Sequence, residues 1–175
     1  MNRPNCALYC SLLVLAGCAS QPPQLPIPAS LVPAGERSVE QIAARGVQIY
    51  ECRAKPGDAA DATWALVRGE AVLSDPQGKA AGKHYSAGGP VWEAPDGSKF
   101  IGSVKARADA LQKGAVQWLL LSTKSIGGEG RFSKITSLQR VNTDGGVAPA
   151  SGCDVKSVGA IERVPFTADY VLFAK

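Results

Sequence analysis

The chain has 175 residues, a formal net charge of +4, 45% hydrophobic residues and a single histidine. That length suits one domain with a short extension, and the hydrophobic share is enough for a real core. The basic residues are scattered among acids with no Lys/Arg run, which removes nucleic-acid binding from the expectations. One histidine removes an ordinary multi-histidine metal site, and no cofactor is expected.

Taken in order, the chain opens on a leader. Leu15-Ala16-Gly17-Cys18 has the form of a bacterial lipobox. Arg3 supplies the positive charge before it, and Ala7 to Ala16 is an apolar run too short to span a bilayer. Residues 1–17 are therefore expected to be a lipoprotein signal peptide, with Cys18 carrying the lipid. The alternative is an ordinary cleaved signal with a chance cysteine. One acyl chain holds a protein weakly, whereas two or more hold it stably, so no transmembrane helix is needed. Ala19 rather than Asp follows the cysteine, which in the lipoproteins this segment resembles favours the outer membrane. The expected location is the cell envelope, lipid-anchored and facing the periplasm.

Processing simplifies the cysteines. Cys6 and Cys10 leave with the leader and Cys18 takes the lipid, so Cys52 and Cys153 remain in an oxidising compartment. A disulfide between them is expected, the alternative being two separate buried thiols. The chain has no C-x-x-C pair, which argues against a thiol oxidoreductase. Residues 18–33 read as the lipidated cysteine and a tether, because Pro22, Pro23, Pro26, Pro28 and Pro33 favour extended polyproline II. At ~3.1 Å per residue such a tether would reach ~45 Å.

Residues 34–175 read as a single β-rich domain. Ser38 with Gln41 resembles a capping box opening a short helix to Ala44, though the same residues also suit a strand. Val47 to Cys52 is β-branched and aromatic and reads as a strand. Lys55 to Ala62 reads as a turn or loop, and Trp64 to Leu73 as a strand. Asp75-Pro76-Gln77-Gly78 is a turn by composition. Val91-Trp92-Glu93 is short and extended, Asp96-Gly97 is a hairpin signal, and Lys99 to Val104 is the return strand. Ala106 to Gln112 predicts one or two helical turns ended by Gly114. Val116 to Ser122 is a near-continuous apolar run, as in a strand covered on both faces. Gly127, Gly128 and Gly130 mark a connection. Phe132, Ile135, Leu138 and Val141 fall in a polar-interleaved strand, and Ala168 to Phe173 closes the chain. About seven short strands with little helix predict an all-β, mainly antiparallel domain. The choice is between a single β-sandwich and a small β-barrel with at most one or two short helices.

Unusual residues concentrate in Gly82-Lys83-His84-Tyr85, Gly88-Gly89-Pro90-Val91-Trp92-Glu93 and Asp96-Gly97-Ser98. With Gly46 to Cys52, Trp118 to Leu121, Gln139-Arg140-Val141, Thr143, Gly145-Gly146, Gly152-Cys153 and Val164 to Tyr170, they resemble the uncharacterised domain-of-unknown-function family 3455 (DUF3455). The pieces run in order across almost the whole domain. Two departures are the longer glycine link Ser86 to Pro90 and Phe166 where an aromatic hydroxyl is more usual. The resemblance implies an exported, β-rich domain and no established reaction.

Candidate site residues are weighed against plain structural roles. His84 could act as a general base oriented by Glu93 or Asp96, or could simply order a loop by hydrogen bonding. Tyr85, Trp92 and Trp118 could line a ligand groove, or be core aromatics. Arg140 and Asp169 are polar residues inside apolar strands, either a buried ion pair or the solvent face of an alternating strand. No G-x-S-x-G elbow accompanies Ser86 or Ser98. The favoured expectation is a non-enzymatic envelope module that binds a small molecule, a glycan or an envelope protein. The alternative is a hydrolase-like or other enzyme built on His84 with Glu93 or Asp96.

Overall fold

The computed structural model describes residues 26–175. The expected signal peptide and the lipidation site at Cys18 lie outside the described residues. Eight strands follow one another around a closed antiparallel barrel. They are β1 (Arg37–Lys55), β2 (Asp58–Ser74), β3 (Ala80–Ser86), β4 (Pro90–Glu93), β5 (Lys99–Ala108), β6 (Trp118–Ser125), β7 (Ser137–Gly145) and β8 (Ile161–Ala174). Each strand pairs with the next, and β8 returns to β1 from Arg37↔Ala174 to Glu51↔Ile161. The barrel, not the sandwich, is the architecture.

Several expected elements take another form. Residues 38–44 are strand, because Ile42 and Ala44 alternate into the core while pairing with Tyr170 and Ala168 of β8. Pairing partners on both sides override a weak capping signal. Residues 55–62 are almost entirely strand, and only Pro56-Gly57 turns. β5 runs to Ala108, so the helix expected over 106–112 does not form. Ala106 and Ala108 pair with Leu120 and Trp118 instead. Phe132 and Ile135 precede β7 rather than belonging to it, yet both are buried.

An eight-stranded barrel is just wide enough to be filled by side chains. The filling is uneven. At the end holding the chain's C-terminus, Leu73, Ala81, Ala94, Phe100, Leu138 and Leu172 form an apolar core. Phe132 and Ile135, from the β6–β7 connection, plug that end. Phe132 is held there as its backbone N–H donates to the buried Ser98 hydroxyl at 2.9 Å.

The apolar run at β6 is covered on both faces. Leu119 and Leu121 join the lumen core, while Trp118 lies outside it with Leu31 and Val141. Leu31 is 0% exposed and belongs to a 3-10 turn, Ala29–Leu31. The Gln139 amide donates to the Leu31 carbonyl at 2.8 Å. The segment from Ile27 is thus docked on the barrel wall, and the expected tether is shorter at that end.

At the opposite end Cys52 and Cys153 form the expected disulfide, with Cα atoms 5.4 Å apart and a sequence separation of 101. It pins the long β7–β8 connection to β1. Backbone bonds from Cys52 N–H to Ala160 O and from Gly159 N–H to Cys52 O reinforce it.

Two stability measurements check these assignments. Replacing both cysteines by serine is expected to cost about 2–5 kcal/mol in urea unfolding. Leu31→Ala is expected to cost about 2–5 kcal/mol, as for a buried leucine; a loss below ~0.5 kcal/mol, typical of a surface site, would show the segment to be undocked.

Candidate functional site

The sequence candidates separate across the barrel wall. In the β3–β4 register His84 pairs with Trp92, and Lys83 pairs with Glu93. Successive residues face opposite sides of a strand. His84 and Trp92 therefore face the lumen, and Glu93 faces outward. There the Tyr85 hydroxyl donates to Glu93 Oε2 at 2.6 Å, with Lys83 at 3.5 Å and Lys99 at 3.9 Å. The Tyr85 hydrogen bond, aided by the lysines, holds the Glu93 carboxyl below its usual range. The same bond raises the Tyr85 phenol.

Asp96 belongs to the β4–β5 turn at the plugged end. Its carboxylate accepts the Arg131 N–H at 2.8 Å and both the N–H and hydroxyl of Ser98 at 2.9 and 2.6 Å. These donors, the Arg131 N–H foremost, lower its pKa to about 2. It pins a turn to the plug. Neither acid reaches His84, so the expected dyad is not assembled. Nor do Trp92 and Trp118 share a groove: one lines the lumen, and the other lies outside under Leu31. Arg140 and Asp169 are not an ion pair. Arg140 faces the lumen opposite Tyr170, while Asp169 accepts from the Asn142 amide at 2.8 Å.

His84 is 7% exposed. Its Nδ1 lies 2.9 Å from the Val91 carbonyl, so Nδ1 carries the proton and Nε2 is left as an acceptor. The ring stacks on Trp92 at 4.3 Å between centroids, and Tyr170 meets Trp92 edge-on at 5.6 Å. Nε2 points toward Gly69, where a Cβ would sit 3.3 Å from it and 3.2 Å from the Gln48 amide nitrogen. Glycine at 69 lets these two polar tips approach the β2 backbone closely. Burial lowers the His84 pKa to about 4, so the ring is neutral at neutral pH.

One stretch of the wall beside these buried residues is short. β3 pairs with β2 no higher than Ala71↔His84, and β4 pairs with β5 no higher than Val91↔Ile101. β2 and β5 both continue past those points, held only by β1 and β6. A notch therefore opens between the upper half of β2 and Ser103–Ala108 of β5. Across it lie Arg107 and Arg140, both in register with Leu119 on the lumen face. Arg140 is half-buried, and its Nε and Nη2 donate to the Gln117 carbonyl at 3.1 and 2.8 Å. Tyr50 closes the far side, its hydroxyl donating to Gly146 O at 2.7 Å.

A family model described as "Protein of unknown function (DUF3455)" matches residues 33–174. The chain belongs to this family. No curated protein and no solved structure matches it.

The DUF3455 barrel thus gathers Gln48, Tyr50, Gly69, Arg107 and Tyr170 around His84, Trp92 and Arg140. Sequence reasoning missed the first five. Their signal was present only as polar residues at lumen parity, Gln48 between Gly46 and Tyr50, and Arg107 between two alanines. That parity has meaning only once the strand register is known.

The buried histidine makes stability depend on pH. The unfolded ring titrates near 6.5 and the folded one near 4, so the unfolded chain binds more protons between them. Stability is fully present above pH 6.5 and is lost as pH falls toward 4, by up to roughly 3 kcal/mol. Urea midpoints across this range are expected to fall for the native protein and to flatten in His84→Gln. An unchanged slope in the variant would assign the loss to other groups.

Proposed function

We propose that the protein is a lipid-anchored envelope module that binds a ligand at the notch of its barrel, without catalysing a reaction on it. One observation carries this reading. The only histidine is a neutral, stacked ring beside an opening into the lumen, while Glu93 and Asp96 serve salt links and a turn elsewhere.

The outer wall supports a barrel standing in water. Arg45, Arg68, Glu70, Lys83, Glu93, Lys99 and Arg163 all face outward, and Glu70 links to both Arg68 and Arg163. A membrane-spanning barrel carries the reverse pattern, with an apolar outer band and a polar interior. Attachment through a lipid on Cys18 fits such a domain. Because the chain is docked from Ile27, the spacer from Ala19 to Pro26 would reach at most about 25 Å as polyproline II. The domain is thereby kept close to the outer membrane, on its periplasmic side. The ligand classes open to it are a small molecule, a glycan or a segment of another envelope protein.

Native mass spectrometry on protein extracted from its own membrane tests both halves. The expected spectrum carries acyl chains on Cys18 and a further non-covalent mass. Cys18→Ser is expected to move the protein from the membrane to the soluble periplasmic fraction. An unlipidated native mass overturns the anchor. A ligand-free spectrum that no envelope extract changes overturns the binding role.

A further inference from the structure

The most uneven feature of the notch is its charge. Arg53, Arg68, Arg131 and Arg163 on the outer surface each meet a carboxylate. Arg140, which is more secluded, meets none among the described residues; its contacts are to a backbone carbonyl. Those two bonds use Nε and Nη2 and leave donors on Nη1 free. The groups facing it are Tyr50, Tyr170 and His84, all uncharged at neutral pH, and Arg107, which adds a second positive charge. Glu162 shares the lumen face at this end through its register with Tyr50, but it is exposed and in no ion pair among the described residues. A cation even partly withdrawn from water without a counter-charge is destabilised. The cost is relieved by an anion that the chain itself does not supply.

We infer that the notch binds a small oxyanion, the carboxylate or phosphate of its ligand, between Arg140 and Arg107 and above the His84–Trp92 stack. The inference rests on reading the barrel as a binding module and names the chemistry it would select. Arg107 and Arg140 lie on either side of Leu119, with backbones about 10 Å apart across two strand spacings. Both side chains are long enough to converge on one group. A guanidinium fork matches the two oxygens of a carboxylate or phosphate. The Gln48 amide adds a neutral donor, and glycine at 69 lets its tip and that of His84 approach the β2 backbone closely.

The test titrates the full-length protein in detergent with sodium phosphate against sodium chloride at equal ionic strength. The readout is the NMR of arginine side-chain Nε–H groups. Saturable shifts are expected at Arg140 and Arg107 and not at Arg53 or Arg163. Affinity is expected to fall roughly tenfold in Arg107→Gln, the loss of one charge-assisted hydrogen bond. Arg107 is exposed, so this variant keeps the fold. Arg140→Lys, which keeps the charge and loses the fork, is expected to weaken binding similarly. A parallel arm presents phosphatidylglycerol vesicles, with phosphatidylcholine as control. Saturation there and not with free phosphate, with the same variant losses, assigns the oxyanion to a lipid headgroup. Shifts that never saturate in either arm overturn the inference, as does saturable binding that Arg107→Gln leaves unchanged. A retained neutral mass in the native spectrum without any phosphate response overturns the oxyanion and leaves the binding module standing.

Discussion

The return of β8 to β1 is the pairing on which everything else rests. It spans almost the whole of both strands, and it converts a curled sheet into a cylinder with a fixed inside. Once closed, the interior can hold only what the strands point inward, and every inward side chain must find a neighbour there. The apolar set at one end does so with the help of the Phe132 plug. The polar set at the other end does not pack in the same way, since its residues carry hydrogen-bonding tips that need partners or water. Closure also removes the free edges that invite strand addition, except beside the short β3–β4 hairpin. There the exposed edge of β5 carries a bulge at Lys105, a charged irregularity of the kind that protects an unpaired strand.

Placement of charge follows from the same closure. Strand alternation sends Glu93, Lys83 and Lys99 to the outside, where water screens them and their mutual contacts contribute little. It sends His84 and Arg140 to the inside, where desolvation dominates. The two respond differently. The histidine gives up its proton and becomes an ordinary polar ring stacked on Trp92. The guanidinium holds its charge even when burial lowers its pKa, so an uncompensated positive charge persists beside the notch. The result is a neutral aromatic floor with a fixed cation above it.

The two ends of the domain are tied down by different means. The N-terminal segment is held by burial: Leu31 covers Trp118 and Val141 on the outer wall and satisfies the Gln139 amide. The β7–β8 connection has few buried side chains and is held by the Cys52–Cys153 bridge and by the Asp154–Ser157 turn. A covalent tie is useful where a long surface connection cannot bury enough apolar area to order itself.

Local chemistry in the chain was enough for several turns, the all-β class, the family and the cysteine pairing. Asp75 to Gly78 and Asp96-Gly97 turn because Asp and Gly favour those backbone angles wherever they occur, and Cys52 and Cys153 were the pair expected from reading the first cysteines as part of a leader. The apolar run around Leu119 declared a strand covered twice. Tertiary structure alone decided between barrel and sandwich, because both use the same alternation and differ only in whether the last strand meets the first. It also decided that residues 38–44 extend, that Trp92 and Trp118 lie on opposite faces, and that His84 is parted from Glu93. These depend on register and on which side of a wall a residue takes, and a shift of one position reverses every side. The meeting of Arg107, Arg140 and His84 at one opening is of that kind: residues far apart in sequence share a lumen only after the cylinder closes.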